Sequence, residues 1–329
     1  MISDVLQKKI DDSYETLKLA ADISMEYYQK PLIITYSGGK DSDTMLQLAI
    51  ECLKPNQFEV MNSHTTVDAP ETVYYIRDKF KKLNEMGIKA WVQYPHDKDG
   101  NPVSMWSLIV EKGMPPTRFR RYCCSVLKES TTPNRFVAVG VREAESSGRR
   151  GRDSFATRAL RKADAKYFTT THIREVYEDD KLRRLNGGGI DANEEGIWDC
   201  TFVTAAKRKQ DLICSPIYKW TDTEVWEFIR DRKIEYNPLY DRGILRVGCI
   251  GCPLSGKGQV RELEMYPKYK ENYIKAFDRM LEKRRAKGKM DIDGRVGLHR
   301  WVDGEAVYRW WVQDDTIPGQ MTFEDYEDE

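Results

Sequence analysis

The 329-residue chain carries 53 basic and 53 acidic residues, a formal net charge of zero, with 40% hydrophobic and 32% charged residues. That apolar share excludes a disordered chain, and the balance argues against an overall polybasic nucleic-acid binder without bearing on local patches. No apolar run approaches the roughly 18 residues of a bilayer span, and Met1-Ile2-Ser3-Asp4 lacks the basic and apolar regions of a secretory signal, so a cytoplasmic location is expected.

Apolar residues at helical spacing predict a helix over 5–28, ended by Pro31. The run Leu32-Ile33-Ile34-Thr35-Tyr36 reads as a buried parallel strand. Ser37-Gly38-Gly39-Lys40-Asp41-Ser42 is a tight turn, and helical spacing resumes at Thr44. Strands are expected at 58–61, 90–94 and 136–141, with a helix over 71–86 opened by Ala69-Pro70. This alternation implies an α/β fold with a doubly wound, mainly parallel sheet, which binds ligands beyond the carboxyl ends of its strands. Residues 142–200 are polar and Arg-rich with Gly187-Gly188-Gly189, and read as a long, mobile insertion or lid. Order is expected again at 212–216. A helix follows through Ile229, with Thr221 as N-cap and Glu224 closing a capping box. A charged helix over 266–287 and an acidic tail from Asp314 complete the chain. The organisation this implies is an N-terminal helix (1–30), a nucleotide-binding α/β domain (31–235) with the insertion 142–200, and a mostly helical C-terminal segment (236–329) bearing a Cys-x-x-Cys.

The hexapeptide 37–42 follows a strand and opens a helix. Glycine lets the backbone turn sharply and approach a ligand, and a helix N-terminus presents free N–H groups and a partial positive charge to an anion. Ser37 and Ser42 add hydroxyls and Lys40 adds a charge, while Walker A spacing is absent. The segment resembles the PP-loop of the adenine-nucleotide α-hydrolase superfamily. The resemblance implies binding of ATP, or of a sulfonucleotide such as APS or PAPS, by Ser37, Gly38, Gly39, Lys40, Asp41 and Ser42. Cleavage of ATP would fall between the α and β phosphates, Lys40 and Asp41 would be the catalytic candidates, and Asp41 would help to hold Mg²⁺.

Seven cysteines, an odd count, argue against a disulfide framework. Cys123-Cys124 lies among Arg118, Arg120, Arg121 and Lys128, and Cys249-Ile250-Gly251-Cys252 forms a Cys-x-x-Cys turn. Four soft thiolates suit Zn²⁺ or an iron–sulfur cluster, and neighbouring cations lower thiol pKa values and offset cluster charge. Residue chemistry alone leaves the two metals level.

Further segments are similar to the sulfonucleotide (PAPS/APS) reductase family. They are Pro70-Glu71-Thr72, Gly140-Val141-Arg142-Glu143-Ala144-Glu145-Ser146-Ser147, Ser215-Pro216-Ile217, Trp220 to Trp226, and Asn237 to Gly243 running into Val247-Gly248-Cys249. They occur in family order over roughly residues 30–255. The resemblance implies that Arg142 and Ser146 face the nucleotide. It also implies that Cys123, Cys124, Cys249 and Cys252 hold a [4Fe-4S] cluster, with Zn²⁺ the alternative metal and Cys214 a substitute for Cys124.

Two departures limit what is imported. No cysteine follows Cys252, where reductases carry a nucleophilic thiol, and Gly297-Leu298-His299-Arg300 has no thiol to offer; Cys52 and Cys200 sit in no motif. The second strand runs into His64-Thr65-Thr66-Val67-Asp68, where reductases have Asp-Thr-Gly; His64 reads as a local hydrogen-bonding residue or a catalytic one. Phe119 to Cys123, Leu127-Lys128 and Arg142 to Ser147 look more like the DndC-like branch, which acts in DNA phosphorothioation. That likeness implies an ATP pyrophosphatase and sulfurtransferase, with a cysteine desulfurase as sulfur donor, DNA or another nucleic acid as acceptor, and no membrane partner. The alternatives are a reductase producing sulfite from APS or PAPS, and a non-catalytic nucleotide- and nucleic-acid-binding module.

The zero charge is a sum of opposites. Residues 118–166 hold 13 basic and 5 acidic residues, and residues 303–329 hold 9 acidic and 1 basic. The basic stretch suits phosphate or a nucleic-acid backbone, or is a solvated loop. Trp301, Trp310 and Trp311 read as core or as base-stacking residues.

Overall fold

The computed structural model describes residues 2–97, 99–118, 120–128, 135–145, 155–158, 211–256, 258–288, 292–293 and 299–312. Two compact units emerge: residues 1–102 with 122–248, and residues 103–121 with 249–329.

In the first unit, α1 (Asp4–Tyr28) is N-capped by Ser3, whose side chain accepts from the Leu6 N–H. It is followed by β1 (Leu32–Thr35), α2 (Lys40–Cys52), β2 (Phe58–Ser63), α3 (Pro70–Glu85) and β3 (Ala90–Gln93). Pro70 sits at the first position of α3, where its missing N–H costs nothing. The units' shared stretch adds α4 (Met105–Lys112), which belongs to the second unit, and α5 (Tyr122–Leu127), which belongs to the first. The first unit continues with β4 (Val137–Ala138), β5 (Phe155–Arg158), β6 (Asp211–Cys214) and α6 (Asp222–Asp231). Thr221 and Glu224 form the expected capping box on α6.

The sheet order is β3-β2-β1-β4-β6-β5. Five strands are parallel, and β5 pairs antiparallel with β6 at the edge. The expectation of a mainly parallel, doubly wound sheet holds. Part of the insertion expected to be a mobile loop is instead this edge strand. Its pairing partner lies more than fifty residues further on, beyond the reach of local pattern. Arg149, Arg150, Arg152, Arg161, the Gly187–Gly189 run and the acidic tail lie outside the described residues.

β1 is central. Ile33 and Ile34 pair with Glu59 and Val60 on one side and with Val137 and Ala138 on the other. Leu32, Ile34, Phe58, Val60, Phe136 and Ala138 form one continuous core with α1, α2 and α6. From β1 the chain winds outward through β2 to β3, then returns to β4 and winds the other way. The order therefore reverses between β1 and β4, and the turns leaving these two strands flank the switch point, where open α/β sheets bind ligands.

In the second unit, α7 (Gly258–Met265), α8 (Pro267–Ala286), the β7–β8 pair (Ile292–Asp293 with His299–Arg300) and α9 (Gly304–Trp311) join α4. Tyr273, Phe277 and Trp311 stack at 4.6–6.0 Å with Trp106 edge-on to Tyr273. Trp301 and Trp311 are buried and Trp311 donates to the Pro116 carbonyl at 2.7 Å, so these two tryptophans are core rather than base-stacking surface. Among the described residues no helix is long and apolar enough to cross a membrane.

Candidate nucleotide site at the β1–β4 switch point

The turn from β1 into α2 is held by its own polar atoms. The Gly39 N–H donates to Ser42 Oγ at 3.1 Å, and the Ser42 hydroxyl donates to the Gly39 carbonyl at 2.7 Å. Ser37 Oγ lies 3.4 Å from Ser42 Oγ. Gly38 adopts φ +73°, and a Cβ there would lie 3.0 Å from Ile76 Cγ1 and 3.2 Å from Thr72 Cγ2. Both conformation and space demand glycine.

Sequence-distant segments close on this turn. Asn237 is fully buried, and its Nδ2 donates to the Gly38 carbonyl and to the Thr72 hydroxyl, each at 3.0 Å. Its own Oδ1 accepts from the Leu239 N–H. The Lys40 N–H donates to the Tyr240 hydroxyl at 2.8 Å. Gly140, just after β4, approaches so closely that a Cβ would lie 3.3 Å from the Asp41 carbonyl carbon and oxygen. The segments 37–42, 70–72, 140–142, 222 and 237–240 thus form one assembly.

Its charges form a network. Lys40 Nζ lies 3.3 Å from Asp41 Oδ2 and 3.0 Å from Asp222 Oδ1. Arg142 Nε lies 2.6 Å from Asp41 Oδ1, and Arg142 Nη2 donates to Asp222 Oδ1 at 2.9 Å. Lys40 and Arg142 are buried, with side chains 7% and 4% exposed. Burial opposes the charged form of Asp222, but Lys40 and Arg142 overcome it and hold the carboxyl below the usual range. Two buried cations beside a helix N-terminus at a switch point are chemically suited to an anion. Ser146, expected beside Arg142, lies outside the described residues.

Beneath the turn, Asp43 is buried, and its Oδ1 accepts from Tyr36 at 2.5 Å and from Tyr75 at 2.9 Å. Burial outweighs these donors and raises its pKa to about 6. His64 pairs with Asp68 at 3.7 Å and packs on Tyr94, a local arrangement away from the contacts described for the turn.

Cys123 and Cys124 lie on α5, the first half-buried and the second buried. In the second unit, Cys249 and Cys252 are half-buried, and the Cys252 N–H donates to the Cys249 carbonyl at 3.3 Å. That turn is clamped. Tyr273 donates to the Ile250 carbonyl, the Gly251 N–H donates to Glu262, and Gln259 donates to the Gly251 carbonyl. A turn with its backbone satisfied and two accessible thiols fits a soft metal. Arg121, two residues before Cys123, is buried with all three guanidinium nitrogens lacking a hydrogen-bond partner. A bare buried cation is costly unless an anion joins it, and an anionic thiolate-bound cluster fits that requirement. Among the described residues no three His, Cys, Asp or Glu side chains form a group able to hold a metal ion. Cys214 is fully buried within β6 and burial drives its thiol pKa far up, which disfavours it as a thiolate ligand. Burial likewise raises Cys52 to about 12, so it stays protonated at neutral pH. Cys200 lies outside the described residues.

Sequence reasoning located the turn and Arg142. It missed Asp222, Asn237 and Tyr240 as members of the site, although all three fall within segments that resemble the family. Their contacts with the turn span between 182 and 200 residues of chain, and the motif letters carry no partner information.

A glycine turn runs from a central parallel strand into a helix, with buried Lys40 and Arg142 beside it at the switch point of an open, doubly wound α/β sheet. The chain belongs to the phosphoadenosine phosphosulfate reductase domain family, whose model matches residues 31–255. An uncharacterized protein of Methanocaldococcus jannaschii is 25% identical over 281 residues, covering 84% of this chain and 47% of that protein. An adenosine 5'-phosphosulfate reductase of Staphylococcus epidermidis is 37% identical over 51 residues, 16% of this chain and 21% of that enzyme. Among solved structures, the U34-tRNA thiolase NcsA of Methanococcus maripaludis with its [4Fe-4S] cluster aligns over 91% of this chain and 87% of its own, at 15% identity and a TM-score of 0.37. The chain spans about half the length of the curated relatives it matches most extensively.

Proposed function

We propose that the chain is an ATP pyrophosphatase of the PAPS reductase family that adenylylates an acceptor for sulfur transfer, with nucleic acid as the acceptor class, as in the DndC-like branch. One observation carries the nucleotide half of this reading: buried Lys40 and Arg142 converge beside the α2 N-terminus at the sheet's switch point. In this reading Ser37, Gly38, Gly39, Lys40, Asp41, Ser42, Arg142 and Ser146 bind the nucleotide. The N–H groups of the turn and Lys40 take the β and γ phosphates. Arg142 neutralises charge growing on the bridging oxygen as pyrophosphate leaves. Asp41, in contact with both cations, orients them and contributes to Mg²⁺ binding.

Cys123, Cys124, Cys249 and Cys252 are the proposed thiolates for an iron–sulfur cluster, which would supply a sulfur-binding or structural centre when bound. The support is the sequence pattern, the clamped Cys-x-x-Cys turn and the unpartnered Arg121 guanidinium. Reduction of a sulfonucleotide needs a thiolate nucleophile, and the protonated Cys52 is a poor one. A cysteine desulfurase is the proposed sulfur donor.

Anaerobically prepared protein incubated with ATP, Mg²⁺, nucleic acid and a desulfurase tests this function. The expected result is pyrophosphate release that falls at least tenfold in Ser37→Ala, together with sulfur incorporation into the nucleic acid. Sulfite production from APS or PAPS, without pyrophosphate release from ATP, would replace this reading with the reductase.

A further inference from the structure

The network at the switch point contains two carboxylates of different character. Asp41 belongs to the first turn of α2, its side chain is 18% exposed, and it contacts both Lys40 and Arg142. Both of its oxygens are engaged, Oδ2 with Lys40 Nζ at 3.3 Å and Oδ1 with Arg142 Nε at 2.6 Å. Asp222 opens α6 on a separate segment, and its side chain is 60% exposed. Its Oδ1 alone bridges the two cations, at 3.0 Å from Lys40 Nζ and 2.9 Å from Arg142 Nη2. One oxygen shared by an ammonium and a guanidinium is the contact a non-bridging phosphate oxygen makes. The Lys40 N–H is also taken, by the Tyr240 hydroxyl. The groups best suited to a ligand's phosphate are thus satisfied by the chain's own oxygens.

We propose that Asp222 is an internal counter-anion of this site, competing with the ligand's phosphate for Lys40 and Arg142 and so setting nucleotide affinity. The proposal rests on the phosphate-binding reading of the turn. Displacement needs only a side-chain rotation at the first residue of α6, because the Asp222 side chain is largely in solvent while the two cations stay fixed by burial. The capping box of Thr221 and Glu224 keeps the helix start in place after the carboxylate swings away. Competition of this kind reduces the apparent affinity to the intrinsic one multiplied by the fraction of molecules in which the cations are free.

The test is calorimetric titration of wild type, Asp222→Asn, Asp222→Ser and Lys40→Ala with inorganic pyrophosphate and with MgATP. Thermal melts of each variant establish folding, and the serine variant serves if the asparagine variant does not fold. The expected result is tighter binding of both probes by Asp222→Asn and Asp222→Ser, by roughly two- to fivefold, the scale of a partly exposed charge pair. A residue with a merely structural role would weaken binding when replaced. Equal or weaker binding by both variants, with wild-type binding abolished in Lys40→Ala, overturns the counter-anion and leaves the phosphate site standing. Binding of neither probe by wild type or by any variant removes the phosphate site itself, and the counter-anion with it.

Discussion

Asn237 donates from Nδ2 to the carbonyl oxygen of Gly38 at 3.0 Å, joining residues 199 positions apart. The same nitrogen reaches the Thr72 hydroxyl, so a single buried amide ties the glycine turn to α3 and to the segment that carries Tyr240. Replacing Asn237 with alanine leaves the Gly38 carbonyl, the Thr72 hydroxyl and the Leu239 N–H without this partner. Each buried loss costs about 1–3 kcal/mol before relaxation. Asn237→Ala is therefore expected to lower stability by roughly 2–4 kcal/mol, read as a shift in the urea midpoint. A change within about 0.5 kcal/mol would show that the amide is dispensable to the turn.

Gly140 permits a contact that no side chain can relieve by rotating. A Cβ there would meet the Asp41 carbonyl carbon and oxygen at 3.3 Å and the Ser42 nitrogen at 3.4 Å, all backbone atoms. The turn leaving β4 or the start of α2 must shift by a few tenths of an ångström. Gly140→Ala is expected to cost about 1 kcal/mol in stability, and about tenfold in pyrophosphate affinity by calorimetry. Unchanged affinity would place the phosphate contacts away from the first turn of α2.

Asp43 makes stability depend on pH. Its folded pKa of about 6 lies above the ordinary 3.8, because burial outweighs the hydrogen bonds from Tyr36 and Tyr75 and the Lys79 charge. Between those two values the folded state holds a proton that the unfolded state has released. Stability from this group is present at low pH and is lost as pH rises from about 4 through 6, by on the order of 2–3 kcal/mol. Denaturant titrations at closely spaced pH values should show this loss, and Asp43→Asn should flatten that part of the profile. An identical profile in the variant would assign the dependence to other groups.

Arg121 predicts a gain. Its buried guanidinium has no hydrogen-bond partner. In metal-stripped protein, Arg121→Met removes a buried charge and should raise stability by about 1–3 kcal/mol, seen as a higher melting temperature. Metal-loaded protein should lose that advantage, since the anionic centre and the cation would compensate each other. A lower melting temperature of the stripped variant would show that the guanidinium is paired in solution.

Much of the first unit is legible in local pattern. Leu32 to Thr35 form a strand because a β-branched run sits between Pro31 and the glycine turn, and α6 begins at the Thr221 cap. β4 is only two residues long, shorter than the apolar run 136–141 implies, because only Val137 and Ala138 pair with both neighbours. α4 carries Ser104 and Gly113 at its ends, ordinary helix signals in a stretch the motifs pass over. β5 is invisible to periodicity since its stability comes from pairing with Asp211–Cys214. In the site, Lys40 and Arg142 declare themselves by residue type and position. Asp222, Asn237 and Tyr240 do not, because what they contribute is a contact with a turn far away in sequence. Trp301 and Trp311 are equally ambiguous in sequence, and burial decides for the core.

In the proposed function the turn at Ser37–Ser42, with Lys40 and Arg142, handles the phosphates of ATP for cleavage between α and β. Separating the nucleotide products formed from ATP by wild type and Lys40→Ala, with nucleic acid present, tests it most directly. The expected products are AMP or an adenylylated acceptor together with pyrophosphate, with a loss of both by roughly a hundredfold or more in Lys40→Ala. Formation of ADP and inorganic phosphate, or turnover indifferent to Lys40, would contradict it.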